Sequence, residues 1–303
     1  MHTQHDHLSP RLLWILAGLT IAWGFNWTAM KVSLAEVSPW TFRTLCLGAG
    51  SGVLFAVLRA GGQPLGVPRG QWPRLVLLAL FNITSWNILV AYGVSMIPSG
   101  RAAILAYTMP VWSIPLSMLV LGERITARRA AGLVTGMVGM ALLLVEDLAM
   151  LRAAPLGTLL VLCAAFTWGL GTVLQKRLPV AMPLGAYTAW IMLIGGVPIF
   201  FGAAVLDLGR PIPDISLRAS LGVLYNILIA FAWAHWAWLK LATVLPVSVF
   251  SISMLLIPVV GVISGMLFLG ERPSWQEYAA LGFVIASLFS VATAKKDGAQ
   301  PAG

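Results

Sequence analysis

Charged residues are scarce in this chain. Asp, Glu, Lys and Arg make up 10% of its 303 residues, whereas soluble domains carry about 25%. Hydrophobic residues make up 59%, which is more apolar surface than a soluble core can cover. The composition therefore predicts an integral membrane protein in which the bilayer surrounds apolar helices.

Several functional motifs are also missing from the sequence. The two cysteines, Cys46 and Cys163, stand alone in separate apolar runs, so they suggest neither a disulfide framework nor a metal site. There is no glycine-rich phosphate loop, no intramembrane His/Glu cluster, and no Ser/His or paired-carboxylate arrangement. These absences argue against an ATP-driven pump and an enzyme, and they predict no catalytic residue, metal ligand or cofactor.

Acidic residues are absent from the centre of every apolar run. Carboxylate relays are the usual device of proton-driven carriers, so this chain lacks that device. Coupling would need His235, a site made of backbone carbonyls, or exchange of one solute for another. His235 is the one titratable side chain well inside a run apart from Tyr and Cys, and a structural role near the interface is its simpler interpretation.

What the sequence does contain is a series of ten apolar runs. Each is long enough, as a helix, to cross ~30 Å of hydrocarbon. They lie near 12–32, 39–58, 73–93, 99–121, 128–146, 155–175, 184–206, 217–239, 244–269 and 274–294. Polar tails precede and follow them, at 1–11 and 295–303. The sequence predicts an all-α membrane protein with ten transmembrane helices.

The two halves of the chain share landmarks in the same order. Leu-Gly-Glu-Arg occurs at 121–124 and again at 269–272, with a proline 13 residues before each glutamate. The other matched landmarks are Trp23-Gly24 with Lys31, Trp168-Gly169 with Lys176, and the pair Asn82 and Asn226. We interpret 12–146 and 155–294 as two copies of one five-helix repeat. Because five is odd, the second copy must be inverted, which is a construction of secondary transporters.

The positive charge indicates orientation. Ten spans put both termini on one side, and twelve of the 19 Lys and Arg residues fall there, with Arg43 and Arg101 among those opposite. This bias places both termini in the cytoplasm and the protein in the cell inner (plasma) membrane. The net charge of +9 is therefore attributed to the orientation of the protein in the membrane. We expect a small-molecule substrate and the lipid bilayer as partners, no nucleic acid, and the sequence indicates no oligomeric state.

Polar and aromatic residues near mid-span are the candidate substrate-binding residues. They are Trp23, Asn26, Asn82, Trp86, Tyr107, Trp168, Asn226 and Trp233. Intramembrane polar groups tend to face a cavity, although Trp also packs or faces lipid and Asn also joins helices. Pro110 and Pro258 each remove a backbone donor within a run, so we predict gating bends there, with a plain packing kink as the alternative.

These landmarks resemble the drug/metabolite transporter superfamily, specifically its EamA family. The resemblance rests on Trp23-Gly24-Phe25-Asn26-Trp27 with Lys31, on Trp168-Gly169 with Lys176, and on the proline followed by Leu-Gly-Glu in each half. It implies a two-repeat helical bundle with cytoplasmic termini, a central cavity lined by both halves, and export of small metabolites such as amino acids. The second half departs from the first at Gly171, which stands where the first half has Asn26.

The sequence thus favours a secondary transporter that exports amino acids or related compounds by alternating access between the repeats. A lipid-linked or sugar-conjugate flippase is the alternative, and a laterally open groove of basic residues would favour it. A membrane sensor or scaffold is a remote alternative from another class. It would need an output domain, whereas the tails hold about ten residues each.

Overall fold

The computed structural model describes residues 10–123, 125–149, 155–208, 214–244, 254 and 256–292. Within these ranges all regular structure is helical. In the first repeat the helices are α1 (Pro10–Leu34), α2 (Pro39–Ala60), α3 (Trp72–Ala79), the π-helical segment π1 (Leu80–Ser85), α4 (Trp86–Met96), α5 (Ser99–Ala106), α6 (Met109–Leu121) and α7 (Ala127–Ala149). In the second they are α8 (Pro155–Arg177), α9 (Leu184–Leu206), α10 (Leu217–Tyr225), the π-helical segment π2 (Asn226–Trp233), α11 (Ala234–Val244), α12 (Leu256–Leu269) and α13 (Trp275–Ala292).

Seven helical stretches are long and apolar enough to cross a membrane. They are Pro10–Leu34, Pro39–Ala60, Trp72–Met96, Ser99–Leu121, Leu156–Arg177, Leu184–Leu206 and Leu217–Trp238. Ala130–Leu143 and Leu256–Leu269 are shorter apolar helices. The described helices overlap the predicted runs throughout, which confirms a helical membrane architecture. Of the predicted tails, residues 1–9 and 295–303 lie outside the described residues, whereas Pro10 and Arg11 begin α1.

Glycine ends the fourth helical stretch of each repeat in the same way. Gly122 follows α6 with φ 67°, and Gly270 follows α12 with φ 66°. This left-handed conformation is the usual helix stop, and only glycine adopts it without a steric cost. The Leu-Gly-Glu motif is therefore a helix terminator that also fixes where the following glutamate lies.

Three helical stretches are interrupted where the sequence predicted continuous spans. α5 stops at Ala106 and α6 begins at Met109, so Tyr107 and Thr108 form a turn just before Pro110. Pro110 then occupies the first turn of α6, where its missing N–H leaves no hydrogen bond unmade. Pro258 is the third residue of α12 as described, and Met254, separated from α12 by one residue outside the described ranges, is also helical. The segments π1 and π2 widen the third helical stretch of each repeat at matching places.

Each repeat packs against the matching parts of the other. α1 packs on α12 and α8 on α6, while α2 packs on α9 and α7 on α13. A Cβ on Gly24 would collide with Val260 of α12, and one on Gly169 would lie 3.3 Å from Trp112 Cβ of α6. Each glycine thus lets the first helix of its own repeat approach the fourth helical stretch of the other repeat closely.

The loops at the two ends of the bundle make matching contacts as well. Glu36, after α1, accepts hydrogen bonds from the Ser216 N–H and Oγ at the start of α10, both at 2.7 Å. In the other repeat the Ala181 N–H, after α8, donates to Gln71 Oε1 at the start of α3, at 2.8 Å. The end of the first helix in each repeat therefore lies beside the beginning of the third helical stretch of the other.

Candidate substrate site and the charged ends of the bundle

Asn82 lies where π1 of the first repeat meets α8 of the second. Its side chain is 5% exposed and packs so closely on Gly171 that a Cβ there would overlap Asn82 Oδ1. Asn82 and Gly171 therefore fit each other. The departure from the repeat pattern at Gly171 has a physical reason, because a side chain at this position would displace the amide.

Asn226 is the repeat counterpart of Asn82, and Asn26 is the repeat counterpart of Gly171. Asn226, fully buried at the start of π2, donates from Nδ2 to Gly222 O at 3.0 Å. Its Oδ1 is buried without a hydrogen-bond partner in the described structure, and so is Asn26 Oδ1 on α1. Buried acceptors are nearly always satisfied in folded proteins. Two unsatisfied amide oxygens therefore indicate where a ligand or water would donate.

The predicted tryptophans form two separate groups. Trp86 and Trp168 lie with ring centroids 4.9 Å apart and planes tilted by 55°, so one aromatic pair joins the two repeats. Trp23 donates from Nε1 to Ala230 O at 3.1 Å and meets the His235 ring edge-on at 5.7 Å. Trp233 packs on α1, where its ring tip lies 2.9 Å from a Cβ built on Gly18.

The remaining predicted residues lie at the helix interruptions or beside them. Tyr107 is half-buried in the turn between α5 and α6. His235 Nδ1 lies 3.1 Å from Ala230 O, and its ring stacks on Phe231 at 5.4 Å with planes 25° apart. The contacts of His235 are those of a histidine held in the packing between α1 and π2.

Of the predicted residues, the structure brings Trp86 into contact with Trp168 and Trp23 into contact with His235. Among the described residues, a cavity of about 540 Å³ lies elsewhere, at the end of the bundle beside the α1–α2 loop. Its lining includes Glu36, Trp40, Tyr92, Met96 and Asp207, and none of the residues predicted for substrate. No group of three or more His, Cys, Asp or Glu side chains in the described ranges could hold a metal ion.

A charged cluster lies at one end of the bundle, which we call the Glu271 end. The Glu271 carboxylate accepts hydrogen bonds from the Ser99 N–H at 2.6 Å and the Gly100 N–H at 3.0 Å, at the start of α5. Helix N-termini favour such an anion because their first N–H groups lack partners. Lys31 donates nearby to Ser95 O at 3.1 Å and Ile97 O at 2.9 Å. The sequence motif gives no sign that Glu271 caps a helix of the other repeat.

The opposite end, which we call the Glu123 end, carries the matching residues. Lys176 of α8 forms an ion pair with Glu123, which follows α6. The Lys176 side chain is 63% exposed and that of Glu123 is 23% exposed. The counterparts of Ser99 and Gly100 in the second repeat lie outside the described residues. Each end thus carries a lysine from the first helix of one repeat and the Leu-Gly-Glu glutamate of the other. At the Glu123 end the two form an ion pair, and at the Glu271 end each binds backbone groups of the first repeat.

Two arginines that the sequence analysis counted with the surface charges are buried. Arg43 is 3% exposed in α2, and Arg101 is 8% exposed in α5. Arg101 donates to Leu143 O at 2.8 Å and lies 3.9 Å from Glu277. Both arginines lie near the starts of predicted runs, 39–58 and 99–121, and were counted as outer charges there. Their burial follows from the neighbouring helices that pack around them, which the sequence pattern does not show.

The comparisons with known proteins agree with this architecture. The EamA-like transporter family matches the chain twice, over residues 11–145 and 155–293. The uncharacterized transporter YoaV of Bacillus subtilis is 25% identical over 258 residues, which cover 85% of this chain and 88% of YoaV. A probable amino-acid metabolite efflux pump of Escherichia coli is 24% identical over 302 residues, which cover 89% of this chain and 91% of the pump.

One solved crystal structure shares the fold. It matches with a TM-score of 0.65 over 93% of this chain and 97% of its own, at 21% sequence identity. Similarity at that level shows the architecture alone. The family match shows more than the architecture, because it extends over both repeats and leaves out little more than the tails. The chain therefore belongs to the EamA-like transporter family.

Proposed function

We propose that this protein exports amino acids or related small metabolites across the cell inner membrane. It would act as a secondary transporter of ten transmembrane helices with both termini in the cytoplasm. The substrate binds between two inverted repeats and reaches either side by alternating access. The printed name of the Escherichia coli relative, a probable amino-acid metabolite efflux pump, supports this substrate class, and the Lys and Arg bias supports the orientation.

Contacts at the helix ends support the inverted arrangement. Lys31, near the C-terminal end of α1, reaches carbonyls at the C-terminal end of α4, so α1 and α4 run in the same direction. Glu36, just after α1, meets Ser216 at the N-terminal end of α10, so α1 and α10 run in opposite directions. Because α3–π1–α4 and α10–π2–α11 are the matching stretches of the two repeats, these opposite directions fit a two-fold axis in the membrane plane.

The observation that carries the proposal is the pair of matched charged ends. Lys31 and Glu271 lie at one end, and Lys176 and Glu123 lie at the other, each pair drawn from both repeats. Opening one end separates the repeats there while the other end stays joined. The two states are then related by the same symmetry that relates the two repeats, which is what alternating access requires.

Between the two ends, side chains from both repeats would bind the solute. Asn26, Asn82, Asn226 and Tyr107 supply hydrogen bonds, and Trp23, Trp86, Trp168 and Trp233 enclose or stack on apolar parts. The break before Pro110 and the helix at Pro258 provide the bends that accompany opening. His235 is the candidate coupling residue, and exchange of one solute for another is the alternative mode of coupling.

The test is efflux from proteoliposomes loaded with each of the twenty labelled L-amino acids. Purified protein should release at least one of them faster than protein-free vesicles do. Alanine in place of Asn82 or Asn226 should abolish that release while the variant still elutes as a folded protein in detergent. Release of none of the twenty would overturn the proposed substrate class, and wild-type rates from both alanine variants would overturn the proposed site.

A further inference from the structure

Arg43 is a cation enclosed by four elements near the predicted substrate residues. It extends from α2 toward α1, α4 and π2, each of which packs on α2, and it is 3% exposed. Nε donates to Asn87 O at 3.2 Å, and Nη2 lies 2.7 Å from the Met30 sulfur. The guanidinium carbon lies 5.2 Å from the Phe42 ring centroid and 6.0 Å from that of Phe231.

These contacts leave most of the hydrogen-bonding capacity of Arg43 unused. A guanidinium carries five N–H donors, and a thioether sulfur is only a weak acceptor. In the described part of the chain no carboxylate lies within ion-pair distance of Arg43. Burial of a charge is costly unless the charge is paired. The ring faces of Phe42 and Phe231 offset part of this cost, but an anion would offset far more.

Arg101 provides the internal comparison. It is buried to a similar extent, 8% exposed, but it lies 3.9 Å from Glu277 and donates to Leu143 O. Arg101 thus has a protein carboxylate and joins three helices, which is a structural role. Arg43 has no such partner among the described residues, so the described structure offers it no equivalent role.

Unsatisfied acceptors lie on two of the elements that enclose Arg43. Asn26 precedes Met30 by one turn of α1, on the same face of the helix, and its Oδ1 is buried without a described partner. Asn226 precedes Phe231 by about one π-helical turn, is fully buried, and also has an unpartnered Oδ1. Two of the elements that contact Arg43, α1 through Met30 and π2 through Phe231, therefore each carry a buried amide oxygen without a described partner.

We propose that Arg43 binds the carboxylate of the substrate. It thereby makes the transporter selective for α-amino acids over analogues, such as their amides, in which the carboxylate is replaced by an uncharged group. The planar guanidinium matches a carboxylate with two parallel hydrogen bonds. Asn26 and Asn226 accept hydrogen bonds from the substrate ammonium group. This inference rests on the proposed function, because it names the chemical group by which that site selects its solute.

The test compares each L-amino acid with its primary amide, which removes the negative charge and keeps the side chain and the ammonium group. Binding is measured as the rise in melting temperature of the full chain in detergent across a concentration series. At least one of the twenty acids should bind, and its amide should bind about 10- to 100-fold more weakly, since a lost hydrogen-bonded charge pair has that effect. Arg43→Gln should remove the preference for the acid.

Two further variants separate recognition from folding. Arg43→Lys keeps the positive charge but loses the planar guanidinium with its two parallel donors. This variant should therefore still prefer the acid and bind it more weakly. Asn26→Ala should weaken acid and amide alike, because both retain the ammonium group. Equal binding of acid and amide by the unaltered protein would overturn the proposal, as would the absence of binding by all twenty acids.

Flux measurements distinguish this proposal from the proposed function. Equal flux of an acid and its amide in proteoliposomes would leave export intact and remove the role of Arg43. If acids bind selectively, if Arg43→Gln loses that selectivity, and if no acid is transported, the role of Arg43 is supported and the proposed export is contradicted.

Discussion

The two repeats place matching residues at matching positions but give them different partners. Glu271 accepts hydrogen bonds from two backbone N–H groups of α5, and a Cβ on Gly265 would overlap its carboxylate. Glu123 pairs with Lys176, whose side chain is 63% exposed. Among the described contacts, the same Leu-Gly-Glu motif encloses its carboxylate at one end and forms a solvent-exposed ion pair at the other, where the matching helix start lies outside the described residues. We infer that the Glu271 contacts hold their end of the bundle together more firmly than the exposed Lys176–Glu123 pair holds the other.

The centre of the bundle differs between repeats in the same manner. Asn82 fills the space over Gly171, and no side chain competes with it. The counterparts of Asn82 and Gly171 are Asn226 and Asn26, and both have buried oxygens without a described partner. Divergence at one position, Asn26 against Gly171, therefore gives one half an amide packed on glycine and the other half two unpartnered amide oxygens.

The largest effect is expected from Glu271→Gln. The neutral amide loses charge-assisted hydrogen bonds to the start of α5, which together contribute about 1.5–3 kcal/mol. We expect flux in the proteoliposome assay to fall by at least about tenfold. Glu123→Gln is the matched control, and its flux should stay within about threefold of the unaltered protein because an exposed pair contributes less. Equal losses in the two variants would contradict the difference between the ends.

Next in size is the effect of Gly171→Ala. The added Cβ would overlap Asn82 Oδ1, and overpacking of this kind costs about 1–3 kcal/mol. The melting temperature of the variant in detergent should therefore fall. Gly282→Ala is the matched control, since no atom lies within 4 Å of a Cβ there and alanine favours a helix.

Asn82→Ser in the Gly171→Ala background should restore part of the lost stability, because the shorter side chain makes room for the methyl group. A Gly171→Ala variant as stable as the unaltered protein would show that Asn82 is free to move.

The helical architecture could be predicted because its signals are local and repeated. Apolar runs of membrane length identify the helices, and Gly122 and Gly270 mark helix ends that the structure confirms. The π-helical segments could not be predicted, because their cause is packing between repeats and not the residues of one stretch. The one sequence signal was the matched pair of polar residues Asn82 and Asn226, because each lies in the segment that is π-helical in the structure.

The candidate site was less accessible from sequence. Periodicity suggests which residues lie near mid-span but not which helices meet, so Trp86 and Trp168 could be proposed separately and not as a pair. Arg43 was counted with the outer charges because it lies near the start of its apolar run, 39–58. Only the packing of α1, α4 and π2 around it shows that it is buried. The role of the eight substrate residues stays a prediction.

A smaller effect is expected at the aromatic pair that joins the repeats. Aromatic pairs contribute about 0.5–1.5 kcal/mol beyond the area they bury. A double-mutant cycle of Trp86→Leu and Trp168→Leu should therefore give a coupling energy of about 1 kcal/mol in thermal unfolding. Trp14, which is 77% exposed, is the control partner, and its replacement by Leu should not couple with Trp86→Leu. Additive effects at Trp86 and Trp168 would mean that the two rings do not hold the repeats together.

The smallest effect is expected at Lys176, and its salt dependence makes it informative. An exposed ion pair contributes about 0.2–1 kcal/mol, and at 1 M salt the screening length falls to about 3 Å. Lys176→Gln should therefore lower the melting temperature slightly in dilute buffer and not at all in 1 M KCl. Lys31→Gln should lower it in both, because the half-buried ammonium group of Lys31 donates to two carbonyls at the end of α4. If salt removed both effects alike, Lys31 would be as exposed as Lys176, and the Glu271 end would be held together no more firmly than the Glu123 end.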